Sequence, residues 1–87
     1  MSKVSLLYFT GTDCVGCTQM TPIVEQIQMS GIEVKMVNRD NDFEGLVKTY
    51  YIMSVPYILV MKDSKPWASI IGIATKSKIE EIIQKVV

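Results

Sequence analysis

The stretch KVSLLYFTGTDCVGC, residues 3–17, decides how this chain folds. Its first half, residues 3–9, is a short apolar run of β-compatible side chains, bounded by the turn-formers Thr10, Gly11 and Thr12. It reads as a strand buried on both faces. Beyond Cys14 the apolar positions Cys17, Met20, Val24 and Ile27 recur at helical spacing, and Gly31 closes the stripe as a C-terminal cap. Pro22 is expected to kink that helix. A strand running through a tight loop into a helix puts Cys14 at or beside the helix N-terminus. There, free backbone N–H groups and the positive end of the helix dipole stabilise a thiolate, the reactive form in disulfide exchange. Cys17, a turn later on the inward stripe, is placed to attack a mixed disulfide on Cys14. Gly16 removes side-chain bulk between them.

Working outward, Ile32, Val34 and Met36 alternate with Glu33 and Lys35 as in a strand with one face more buried, and Val37 continues the run. Residues 41–51 carry Phe43, Leu46, Val47 and Tyr50 on one helical face, with Asp42 able to cap the first turn and Gly45 weakening it. Residues 57–61 and 67–71 are apolar around a polar turn at 62–66, which is a hairpin. A final stripe, Ile79, Ile82, Ile83 and Val86, follows Thr75, a good cap, while Ser77 and Glu80 offer a competing capping box. The order β-α-β-α-β-β-α is an α/β architecture with a four-stranded mixed sheet and three helices. Strands one and two should be parallel with a right-handed crossover, strands three and four antiparallel.

With 87 residues and 9.8 kDa, the chain has room for a single domain spanning residues 1–87 and one core. Nine basic and nine acidic side chains cancel, which argues against nucleic acid or an anionic membrane as partner. No apolar run approaches the roughly 20 residues of a membrane span, and the start lacks signal-peptide features, so a cytoplasmic location is expected. Cytoplasmic thiols are kept reduced, so a permanent staple is not the first explanation of a cysteine pair. Two cysteines scattered at random in this length fall three apart in roughly one case in forty-five, which makes the spacing itself informative. Two alternatives remain: ordinary buried thiols, or half of a metal site. With no histidine and no third cysteine, the latter would require a dimer to share the metal, so neither a metal nor another cofactor is expected.

The second feature is Ser54-Val55-Pro56, just before the third strand. A cis bond there would turn the chain and leave the Val55 carbonyl and N–H free to pair with an extended peptide; an ordinary trans proline at a strand edge fits the same residues.

Taken together, Cys14-Val15-Gly16-Cys17, the Cys17 to Pro22 spacing, Tyr51-Ile52-Met53-Ser54-Val55-Pro56, and Gly72 followed by Thr75 and an apolar helix resemble the thioredoxin superfamily over nearly the whole chain. The resemblance implies a minimal thioredoxin-like fold with strand order 2-1-3-4. It also implies a cis-proline at Pro56 that lies against Cys14, orients substrate and keeps metal from the thiols. The length is similar to that of glutaredoxins and of small archaeal and phage thioredoxins. A glutathione-using member usually has Gly-Gly and an acidic residue before its last helix, whereas Ile73, Ala74 and Thr75 follow Gly72 here. The chain also departs from thioredoxins, which have tryptophan before the first cysteine and Gly-Pro between the two. Asp13, Val15 and Gly16 stand there. Asp13 is expected to cap the helix, with repulsion of a Cys14 thiolate as the alternative. Tyr8 occupies the position of the family's buried carboxylate, where its hydroxyl or a water is expected to relay protons.

The activity implied is thiol–disulfide oxidoreductase: Cys14 attacks a protein disulfide and Cys17 resolves the mixed disulfide. Val55, Pro56 and Gly72 would contact substrate, while Tyr8, Thr12, Asp13, Val15 and Gly16 tune the pair. A monomer drawing electrons from a flavin-dependent reductase is expected. Glutathione as donor, or a thioredoxin-fold binding module with incidental exchange chemistry, are the alternatives. Tyr50, Tyr57 and Trp67, and most of the scattered methionines, read as core. Lys35, Arg39 and Lys48 could contact an anionic partner such as glutathione, but the sequence gives them no special geometry.

Overall fold

The computed structural model describes residues 3–86. Strand β1 is Val4–Thr10, helix α1 Val15–Met29 and strand β2 Glu33–Asn38; a single 3-10 turn, Arg39–Asn41, leads to the short helix α2, Leu46–Thr49. Strand β3, Tyr57–Lys62, pairs with β4, Lys65–Ile71, and helix α3, Lys76–Val86, follows. The sheet order is β2-β1-β3-β4, with β1 parallel to β2 and antiparallel to β3, and β4 antiparallel to β3. That is the expected topology.

Alternation along β1 sends its side chains to two separate clusters. Leu6 and Tyr8 join Ile58 and Val60 beneath α1 and α3, which contribute Met20, Val24 and Ile27, and Ile79, Ile83 and Val86. The four positions of the α1 stripe, Cys17, Met20, Val24 and Ile27, are all buried. On the opposite face Phe9, Val37, Leu59 and Met61 meet Ile52, with Leu46, Val47 and Tyr50 of the α2 region packed around them.

The local signals explain most boundaries. Thr75 Oγ1 accepts from Lys78 N at 3.1 Å, so α3 starts from this cap and not from the competing Ser77 box. Asp63 and Ser64 both have left-handed φ, 51° and 68°, as a two-residue turn between right-twisted strands requires. The turn is thus shorter than residues 62–66, and Pro66 lies inside β4, an edge strand, where the missing donor is tolerated beside a register shift at Val60/Met61.

The expected helix over 41–51 shrinks to four residues. Gly45 adopts φ +69°, outside the helical region, and resets the chain, after which the Asp42 carboxylate receives Leu46 N and Val47 N at 3.1 and 2.8 Å. Phe43 falls on the wrong side of that break and is 90% exposed. Met36 and Trp67 also reach solvent, both on edge strands. Met29 and Met53 are exposed too, so the methionines are not mostly core. No helix among the described residues is long and apolar enough to cross a membrane.

Candidate active site

The loop after β1 delivers Cys14 to the N-cap of α1, in extended conformation, with its Sγ accepting from Cys17 N at 3.1 Å. The helix's own unsatisfied donor is aimed at the sulfur, the arrangement that stabilises a thiolate when the pair is reduced. Cys14 and Cys17 form a disulfide with Cα atoms 5.2 Å apart. Their environments differ: Cys14 is half-buried, and Cys17 is 4% exposed.

The Val55–Pro56 peptide is cis, and Pro56 packs directly on α1. A Cβ on Gly16 would lie 3.0 Å from Pro56 Cδ, so a residue without a side chain is what permits the approach. Pro56 O accepts from Gly72 N at 2.9 Å, tying the end of β4 to the same spot. Between these elements runs an open groove of about 570 Å³. Cys14, Val15 and Gly16 line one side, residues 53–56 another, and Gly72 with Ile73 a third. Val15, Met53 and Ile73 are 77%, 89% and 55% exposed, an apolar rim around a reactive sulfur. Asp13 and Arg39 line the groove as well.

Thr12 N donates to Asp40 Oδ2 at 2.9 Å, which fastens the loop before Cys14 to the turn after β2. This backbone hydrogen bond is the main reason the Asp40 carboxyl is held below the usual carboxylate range. Tyr8 lies fully buried under α1. Its hydroxyl is 2.8 Å from Thr21 Oγ1 and donates toward Cys17 O at 3.2 Å, while Thr21 Oγ1 donates to Cys17 O at 2.7 Å. Burial pushes the Tyr8 pKa up from 10.0 against the lowering effect of the Thr21 bond, with Glu25 adding to the rise. These hydroxyls hold the Cys17 backbone, and a second cleft is lined by Thr12, Cys14, Cys17 and Thr21 among others.

The thioredoxin family model matches residues 1–85. Thioredoxin of Listeria monocytogenes is 33% identical over 81 residues, covering 91% of this chain and 79% of its own. This chain belongs to the thioredoxin family. Thioredoxin of Staphylococcus aureus is 26% identical over 87 residues, covering 97% of this chain and 83% of that one. Among solved structures, a point-mutant thioredoxin of Halobacterium salinarum superposes with TM-score 0.89 at 20% identity, over 97% of this chain and 74% of its own. Fasciola hepatica thioredoxin gives 0.84 at 23%, over 98% and 82%. Family membership and the Cys14–Cys17 disulfide together make the chain a thiol–disulfide oxidoreductase.

Of the residues singled out in the sequence, Asp13, Cys14, Val15, Gly16, Val55, Pro56 and Gly72 all line this thioredoxin-family groove. Thr12 stands back from it, beside Cys14 in the second cleft, and Tyr8 lies beneath Cys17. Asp13 does not cap α1, because Cys14 itself occupies the cap position. Of Lys35, Arg39 and Lys48, the cations the sequence offers for an anionic partner, Arg39 alone lines the groove. Met53, Ile73 and Thr21 join the site without standing out in the sequence as site residues, and only the Thr21 spacing of four from Cys17 carries a usable signal.

Proposed function

We propose that this oxidoreductase reduces disulfides in protein substrates. The Cys14 thiolate attacks one sulfur of the substrate disulfide, forming a mixed disulfide and expelling the other sulfur as a thiolate. Cys17, as thiolate, then attacks Cys14 Sγ, forming the Cys14–Cys17 bond and releasing the second substrate thiol; two electrons pass to the substrate, whose leaving thiolates take up protons. The observation that carries this order is the asymmetry of the pair: Cys14 borders the groove with an N–H aimed at its sulfur, and Cys17 is buried behind it.

The cis Val55–Pro56 segment and Gly72 line the groove as a wall against which an extended substrate segment can lie. Val15 and Gly16 shape the opposite wall, Thr12 anchors the loop, and Asp13 adds a negative charge beside Cys14. Tyr8 supports Cys17 through its backbone carbonyl, a reading that replaces a proton relay to the sulfur. The electron source we favour is a flavin-dependent reductase in the cytoplasm, because Ile73 stands where a glutathione-using site has a second glycine.

Cys14→Ser should abolish reduction of a protein disulfide, and Cys17→Ser should trap the substrate on Cys14 as a species visible by mass. Exchange by Cys14→Ser at the wild-type rate would sink the assignment. A reduction potential near roughly −270 mV supports net reduction of proteins, whereas one at or above roughly −200 mV removes it.

A further inference from the structure

The groove beside Cys14 is apolar at its rim but not along its whole length. Among the described residues, Arg39 is the one cation lining it. It lies close to the loop before Cys14: a Cβ on Gly11 would be 3.1 Å from Arg39 Nε and 3.3 Å from Val55 Cγ2. The guanidinium is therefore seated in the corner where the loop before Cys14 meets Val55. Its planar fork of donors is pre-organised for a carboxylate, so little freedom is lost per hydrogen bond formed.

The neighbouring carboxylate does not saturate it. Asp40 turns Oδ2 to Thr12 N at 2.9 Å, and its Oδ1 comes no closer to Arg39 Nε than 4.0 Å. Both side chains are about half exposed, 45% and 51%, which leaves the outer guanidinium nitrogens free to donate to a ligand. Asp13 lines the groove next to Cys14 and disfavours a carboxylate there, which confines any acidic group to the Arg39 corner. With nine positive and nine negative side chains the chain has no net field, so discrimination by charge must arise locally.

We infer that Arg39 is a specificity residue: the preferred occupant of the groove is an acidic segment of a disulfide-bearing protein. That segment carries an Asp or Glu near its reacting cysteine, engaged by the Arg39 guanidinium as the chain passes Val55. This rests on the groove being the protein-substrate site.

The test uses three peptides of one sequence with Glu, Gln or Lys near a single cysteine, each capped as a disulfide with thionitrobenzoate, and glutathione disulfide as a fourth probe. Rate constants are measured with pre-reduced wild type, Arg39→Gln and Arg39→Glu, and the Glu-to-Lys ratio is compared between proteins, which cancels the peptides' intrinsic reactivity. Wild type should favour Glu over Lys by roughly two- to fivefold beyond the Arg39→Gln ratio, the range of an exposed ion pair, and the preference should shrink in about 0.5 M salt. Arg39→Glu should reverse it. A ratio unchanged by Arg39→Gln overturns the inference. So does a loss confined to glutathione disulfide, because the carboxylate recognised would then not belong to a protein segment. If wild type reduces none of the peptides, the Gln form included, the proposed function falls first and the inference with it.

Discussion

The two faces of the sheet are built differently. Beneath α1 and α3, the side chains of two helices of 15 and 11 residues close over β1 and β3, and the largest buried residues there include Tyr8, Leu6, Met20, Ile27, Ile58 and Ile79. The opposite face is covered by a four-residue helix and the irregular chain around it, with Phe9, Val37, Ile52, Leu59 and Met61 as its buried members. The thick face holds the buried cysteine from below through Tyr8. The thin face contributes Arg39, on the turn after β2, and Val55, before β3, to the groove, whose other side is the start of α1. Rigidity is thus divided unequally between two layers, and both lend loops or element ends to recognition, as expected when loops on a stable scaffold do the recognising.

The sharpest test of that division uses the same substitution on each face. Ile79→Ala removes a fully buried side chain under α3 and should cost about 3–4 kcal/mol of unfolding free energy in a urea titration, within the usual range for isoleucine truncation. Ile52→Ala, at the thin face's edge and 8% exposed, should cost about 2 kcal/mol. It should slow disulfide reduction under conditions where both variants remain folded. Ile52 N also bonds Val47 O at 2.9 Å, so its segment links α2 to the wall of the groove. Equal stability losses with equal rates would erase the distinction between the faces.

Tyr8→Phe probes the link between the thick face and the site. Thr21 still donates to Cys17 O, so the loss should be about 1 kcal/mol. The alkaline limb gives a separate signature. Because the native Tyr8 pKa is raised above 10.0, its contribution to stability is complete below that pH and is lost as pH climbs through the higher native value. Stability of Tyr8→Phe should accordingly fall less steeply above pH 10 than wild type.

The smallest effect is expected at Asp40→Asn, on the exposed tie to Thr12. The native carboxyl pKa is lowered from 3.8, so its contribution is present above that value and lost as pH falls through the lower native one. The acid limb of the stability curve should become slightly shallower in the variant, as thermal midpoints between about pH 2 and pH 5 would report.

The same division explains what can be read from the sequence. The α1 stripe, the α3 stripe and the buried strands declare themselves by period, because long elements repeat the constraint of one buried face several times. Cys14, Cys17 and Pro56 are legible through spacing and the family pattern. The thin face is not: Phe43, Leu46, Val47 and Tyr50 keep helical spacing across Gly45, but the left-handed backbone at that glycine breaks the register. Arg39 stands in the sequence beside Lys35 and Lys48 as an equal candidate for an anionic partner, and nothing there says that it alone lines the groove, since a polar residue in a turn carries no periodic signature. Asp13 reads as a cap because carboxylates usually are, and a cysteine takes the position instead.

At the far end of β1, Lys3 N donates to Asp63 Oδ1 and Asp63 N donates to Lys3 O, each at 2.8 Å. This clasp joins the start of the central strand to the hairpin turn, while Cys14 follows the strand's other end. At about 3.3 Å per residue, the seven residues of β1 separate the two by about 20 Å. The molecule therefore has an inert pole and a reactive one. A linker grafted at the Asp63-Ser64 turn would anchor the protein to a bead or an electrode with its sulfur chemistry facing the solution.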